Sequence, residues 1–174
     1  MILLLMKKVI VIGCPGSGKT TFAEKLQKCT ELPLYYLDAI WHRPDKTHIP
    51  REEFDGRIGE IFATDAWIID GNYNRTLPHR LSYCDTVFYF DFSTLRCLWG
   101  VTWRVLTNLG RVRDDMGGNC RERFSLSFYK SILGFNKAHR ERYHSLLEQA
   151  AQDGKTVVIF HNRRQVKRYL NTLR

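Results

Sequence analysis

At 174 residues the chain is sized for one domain, since domains run to roughly 150 residues. Its 44% hydrophobic and 26% charged residues exclude a disordered chain, a collagen and a coiled coil. Lysine and arginine total 27 against 18 acids, a net charge of +9. Such an excess favours anionic partners, namely nucleotides, phosphorylated metabolites, nucleic acid or an acidic membrane face. A solvated basic surface is the plain alternative.

The first apolar run, Ile2 to Met6, is far short of a bilayer span and precedes Lys7-Lys8, so no secretory signal is expected. Lys8 to Ile12 reads as a β-branched strand ending at a glycine, and Thr20 to Lys28 as a helix with Phe22, Ala23 and Leu26 on one face. Leu34 to Leu37 is a second strand ending at Asp38. Pro50 opens a helix carrying Phe54, Ile58, Ile61 and Phe62. Trp67 to Ile69 and Thr86 to Phe90 are the third and fourth strands, ending at Asp70-Gly71 and at Asp91. Leu95 to Leu109 is helical, and Arg111 to Arg123 breaks the pattern with Gly117-Gly118. Ser125 to Gln152 is a long helix with Gly134 as a bending point. Thr156 to Phe160 is a fifth strand, and Gln165 to Leu173 a closing helix. Strands alternating with helices indicate an α/β domain with a parallel sheet and ligands at the carboxyl ends of its strands. The five cysteines, Cys14, Cys29, Cys84, Cys97 and Cys120, form no Cys-x-x-Cys pair. Reduced thiols and a cytoplasmic location are expected.

Gly13-Cys14-Pro15-Gly16-Ser17-Gly18-Lys19-Thr20 fits G-x-x-x-x-G-K-[ST] in full. Glycines let the backbone curl so that successive N–H groups converge on phosphate oxygens, and the following helix adds its positive N-terminal end. Lys19 reaches the β and γ phosphates of ATP, and the Thr20 hydroxyl ligates Mg²⁺. Residues 13–20, with Thr21 and the later Arg104, form the expected nucleotide-binding set.

On this motif the chain resembles the P-loop NTPases, and its remaining segments are similar to the adenylate-kinase-related branch. Trp67-Ile68-Ile69-Asp70-Gly71 followed by Arg75-Thr76-Leu77-Pro78 resembles the adenylate kinase strand and Asp-Gly-Phe-Pro-Arg-Thr-x-Pro. Here one extra residue stands before Arg75, and the Phe-Pro pair is absent. The resemblance implies that Arg75 holds the phosphate of an acceptor nucleotide. Arg111-Val112-Arg113-Asp114-Asp115, with Arg121 and Arg123, resembles the adenylate kinase lid, which brings arginines onto the transferring phosphoryl group. A closer likeness, through Leu37-Asp38, Trp41, Asn72-Tyr73, Met116, Cys120 and Glu122-Arg123-Phe124, is to the subfamily called DNA topology modulation proteins.

The fold implied is a single three-layer P-loop domain over residues 1–174. Its five-stranded parallel sheet has the order 2-3-1-4-5, with an arginine-rich lid at about residues 110–124. Asp70 is the expected Mg²⁺ carboxylate, acting through water, with Asp91 its rival. In related sugar and shikimate kinases an aspartate near the end of the second strand binds the acceptor hydroxyl and takes its proton. The resemblance extends that role to Asp38, with a helix cap or turn as the alternative. Trp41, His42 and Arg43 are candidate walls of the acceptor pocket. The expected catalytic set is Lys19, Asp38, Arg113, Arg121 and Arg123, and the acceptor set Asp38, Trp41 and Arg75. Arg163, Arg164, Lys167 and Arg168 read as a solvated patch. The expected activity is phosphoryl transfer from ATP·Mg²⁺ to a nucleoside monophosphate or another small molecule. The alternative is an ATP-dependent protein that binds DNA and modulates its topology.

Overall fold

The structure is a computed structural model that describes residues 6–43, 45, 47–110, 115–116 and 124–173. The expected lid therefore lies largely outside the described residues, including Arg111, Arg113, Cys120, Arg121 and Arg123. Five strands, β1 (Lys8–Gly13), β2 (Leu34–Tyr36), β3 (Trp67–Asp70), β4 (Thr86–Phe90) and β5 (Thr156–Phe160), form one sheet. Its order is β2-β3-β1-β4-β5, and every pairing is parallel. This is the order the resemblance implies. β3 and β4 are buried along their whole length, and β1 from its second residue on. Strands covered on both faces read as continuous apolar runs, which is why Val9–Ile12 and Val87–Phe90 lack alternation.

Among the described residues seven helices connect and cover the sheet: α1 (Lys19–Thr30), α2 (Leu37–Trp41), α3 (Arg51–Phe62), α4 (Leu77–Tyr83), α5 (Thr94–Asn108), α6 (Leu126–Gln152) and α7 (Arg163–Thr172). Phe22 of α1 meets the rings of Phe88, Phe90 and Phe160 edge-on at 4.8–5.5 Å, pinning the P-loop helix to the sheet. The expected stripe Phe54, Ile58, Ile61 and Phe62 is the buried face of α3. α6 runs unbroken through Gly134.

Two elements differ from expectation. β2 stops at Tyr36, and the chain turns at once into the five-residue α2. Asp38 thus sits in the first turn of a helix and not at a strand end. Leu37 causes the turn: its fully buried side chain is pressed against Gly71, where a β-carbon would lie 2.9 Å from Leu37 Cβ. The second is α4, which begins after Thr76 with Pro78 in its first turn. Cys14, Cys29, Cys84 and Cys97 are free thiols.

Candidate functional site

The P-loop joins β1 to α1 and is held from two sides. From the β3 side, Asn72 Oδ1 accepts the Gly13 N–H at 3.0 Å. From the other side α5 is pressed directly onto the loop. A β-carbon at Gly16 (φ 84°) would lie 2.3 Å from the Cys97 carbonyl oxygen, and one at Gly100 only 2.1 Å from the Gly16 carbonyl oxygen. Both positions therefore need glycine for close backbone approach. Cys14 is buried against Cys97. A hydrogen bond to Cys97, then burial, push its thiol up, so it stays protonated and inert.

At the start of α1, the Thr20 hydroxyl donates to Asp70 Oδ2 at 2.6 Å. Among the described residues Asp70 Oδ1 is buried without a hydrogen-bond partner, as is Ser17 Oγ. Burial raises the Asp70 carboxyl to about 6, against the lowering effect of Lys19 and Thr20. A buried carboxylate oxygen with no donor is costly unless a ligand or cation completes it. That donor set fits Mg²⁺, which takes one or two protein oxygens and fills its octahedron with water and phosphate. No cluster of three or more His, Cys, Asp or Glu suited to a metal occurs among the described residues. Asp91, the rival, is engaged elsewhere. Its Oδ2 accepts from Arg140 at 2.9 Å and lies 3.2 Å from His144 Nε2 and 3.5 Å from His161 Nδ1.

On the β2 and β3 side, Asp38 Oδ1 accepts the Tyr73 hydroxyl at 2.9 Å. Burial, then the Asp38 carboxylate, push that hydroxyl well up, so Tyr73 remains a donor. Tyr73 has a left-handed backbone, φ 34°, which a bulky residue adopts only when its surroundings impose it. Arg80 of α4 imposes it. Fully buried, its guanidinium donates to the carbonyls of Gly71 (3.0 Å), Asn72 and Tyr73 and to Thr76 Oγ1 (3.2 Å). Burial lowers Arg80 to about 10, still charged at neutral pH. One buried cation thus sets the loop whose side chains clamp the P-loop and hold Asp38.

A cavity of about 920 Å³ joins these parts. Pro15, Gly16, Gly18, Lys19, Thr20 and Thr21 line its centre, Asp38 and Tyr73 one side, and Arg104 the other. Arg104 lies over the Phe128 ring at 6.0 Å, and Phe128, Trp103 and Arg163 share that wall. Arg163, Arg164, Lys167 and Arg168 are all exposed on α7, as expected, and Arg163 also borders the cavity. Trp41 and Arg75 line a separate cavity of about 260 Å³. There Trp41 stacks on His48 at 5.1 Å and meets Phe54 edge-on at 5.1 Å. Arg75 is held bidentate by Asp55 at 2.6 and 2.8 Å, which keeps the Asp55 carboxyl below its ordinary range. His42 lines the large cavity, and Arg43 pairs with Glu53 at 3.5 Å. Sequence reasoning missed the roles of Asn72, Tyr73, Arg80 and Gly100. Only the Asn72-Tyr73 pair after Gly71 stood in a quoted motif.

No protein-family model and no curated protein sequence matches this chain. Solved structures do match, among them a candidate kinase from Chloroflexus aurantiacus J-10-fl. It aligns at 19% identity over 74% of this chain and 78% of that one, with a TM-score of 0.46. Among the described residues no helix is long and apolar enough to cross a membrane.

Proposed function

We propose that this protein binds ATP with Mg²⁺ in the P-loop cavity and transfers the γ-phosphoryl group to a hydroxyl of a small acceptor. The observation that carries the reading is the Thr20–Asp70 pair beside Lys19, with one Asp70 oxygen buried and unpartnered. Mg²⁺, when bound, would neutralise phosphate charge there. Thr20 would hold it directly and Asp70 through water.

The chain's own residues supply positioning and electrostatics. P-loop amides and Lys19 fix the donor phosphates, and Asn72 keeps Gly13 in place. Asp38, steadied by Tyr73, accepts the acceptor's proton, which fits its place on the cavity wall. Arg104 and Phe128 offer a flat surface for the base; Arg113, Arg121 and Arg123, to which the resemblance gives a role at the transferring group, lie outside the described residues. The alternative, ATP-dependent binding of DNA, rests on the +9 charge and on the likeness to the DNA topology modulation proteins.

Lys19→Ala tests the reading. It is expected to leave the circular dichroism spectrum unchanged while calorimetric titration shows weakened ATP·Mg²⁺ binding or turnover ceases. Unchanged affinity together with unchanged turnover refutes it. Asp38→Asn is expected to cut transfer by about 10²–10⁴ while ATP affinity is retained.

A further inference from the structure

We propose that the acceptor is a small alcohol carrying an amine and no phosphate, with Glu24 binding its ammonium group and Asp38 its hydroxyl. This rests on the phosphotransferase reading of the same cavity and specifies the chemistry of its unassigned half.

The strand order divides the cavity. β1 and the P-loop stand at its middle, so β2 and β3 build one half, and the helices following β4 and β5 build the other. The cationic side chains are segregated. Lys19 is central, and Arg104 and Arg163 line the half beyond β4. The opposite half is lined by Glu24, Asp38, His42, Asn72 and Tyr73, two carboxylates among polar side chains. Tyr36, at the end of β2, is hydrogen-bonded to Glu24 and stands beside Asp70 in the sheet. The carboxylates thus gather around the end of β2.

A phosphorylated acceptor needs a guanidinium or ammonium in that half, and among the described residues the two nearby arginines are engaged elsewhere. Arg80 is buried among the carbonyls of residues 71–73. Arg75 is forked onto Asp55 and lines the other cavity. A dianionic phosphate placed against Glu24 and Asp38 would meet like charge. An ammonium there meets opposite charge, and its neighbouring hydroxyl falls to Asp38. In the reaction the acceptor oxygen forms a bond to the γ-phosphorus and the bond from that phosphorus to the β,γ-bridging oxygen breaks. ADP leaves with the bond's electron pair, and the hydroxyl proton passes to Asp38.

The test measures ADP release by the full chain with ATP·Mg²⁺ and three sets of compounds: amino alcohols and amino sugars, their neutral polyol counterparts, and nucleoside monophosphates. ATP affinity is titrated in parallel. Stimulation by an aminated member, at a lower KM than its neutral counterpart, is the expected result. Glu24→Gln should raise the KM for the aminated member about fivefold, the scale of one partly exposed ion pair. The neutral counterpart and ATP should keep their KM values. ATP binding with stimulation only by nucleoside monophosphates, or by no aminated alcohol, overturns the inference. So does a Glu24→Gln effect equal for aminated and neutral members. Absence of ATP binding refutes the phosphotransferase reading itself.

Discussion

Replacing Gly100 by alanine should damage catalysis far more than folding. The new β-carbon would lie 2.1 Å from the Gly16 carbonyl oxygen. Close carbon–oxygen contacts in proteins fall near ~3.3 Å, so α5 or the P-loop must yield by about 1 Å. Neither partner is the free end of a flexible side chain; both are backbone. Overpacking of this kind costs ~1–3 kcal/mol. Alanine returns ~1 kcal/mol in a helix interior relative to glycine. The net loss of stability is therefore about 0–2 kcal/mol, a fall of a few degrees in Tm. The P-loop has no such offset, because its amides must meet phosphate oxygens at hydrogen-bond distance. A displacement of about 1 Å at a reacting site costs on the order of 10²-fold in rate. Thermal denaturation and calorimetric titration with ATP·Mg²⁺ separate the two effects. ATP affinity and turnover both within about twofold of the parent would show that the contact between α5 and the P-loop does not set the phosphate cradle.

Three further outcomes follow from the same geometry. Asp70 has a folded pKa of about 6 against 3.8 for the ordinary carboxyl. The folded state therefore holds more protons in that window, stability falls as pH rises through it, and the full cost, about 3 kcal/mol at most, is present above it. With a chelator present, Asp70→Asn should melt higher than the parent at about pH 8, and the gap should close towards about pH 4. A constant gap across pH would refute the assignment. Arg80→Lys should destabilise by about 2 kcal/mol or more, because a single ammonium nitrogen cannot span the acceptors that the guanidinium reaches through three separate nitrogens; an unchanged urea midpoint contradicts this. Arg75→Ala, which breaks an ion pair whose side chains are 48% and 46% exposed, should change stability by no more than about 1 kcal/mol in a denaturant titration.

Much of this architecture is legible in the sequence because its signals are local. The boundaries expected for β4 and β5 are those observed, since an apolar run bracketed by polar residues needs no tertiary information. The P-loop is legible for a related reason: its chemistry lies in eight consecutive residues. Where the signal is not local, the reading runs out. Asn72 and Gly13 are 59 residues apart, and nothing in either predicts that an amide will cap the loop. Arg80 reads as surface charge because arginine is rarely buried, and only the packing of α4 under residues 71–73 reverses that. Asp38 carried the expectation of a strand end, yet the burial of Leu37 wound it into a helix. Thr76 and Pro78 do announce α4 in the sequence, but a helix of seven residues is too short to show a periodic apolar face.

The four tryptophans occupy four different environments, which gives the protein its own optical reporters. Trp67 is fully buried beside Phe62, so its emission tracks the integrity of the core. Trp41 stands at the smaller cavity, and Trp99, 63% exposed, looks outward from α5. Trp103 stacks on Trp99 at 6.4 Å and lines the large cavity while 58% exposed. A ligand entering beside it would change both the polarity around its indole and its access to soluble quenchers. Retaining one tryptophan at a time, with phenylalanine at the other three positions, would therefore follow core, small cavity, outer helix face and large cavity separately by steady-state fluorescence, without an attached dye.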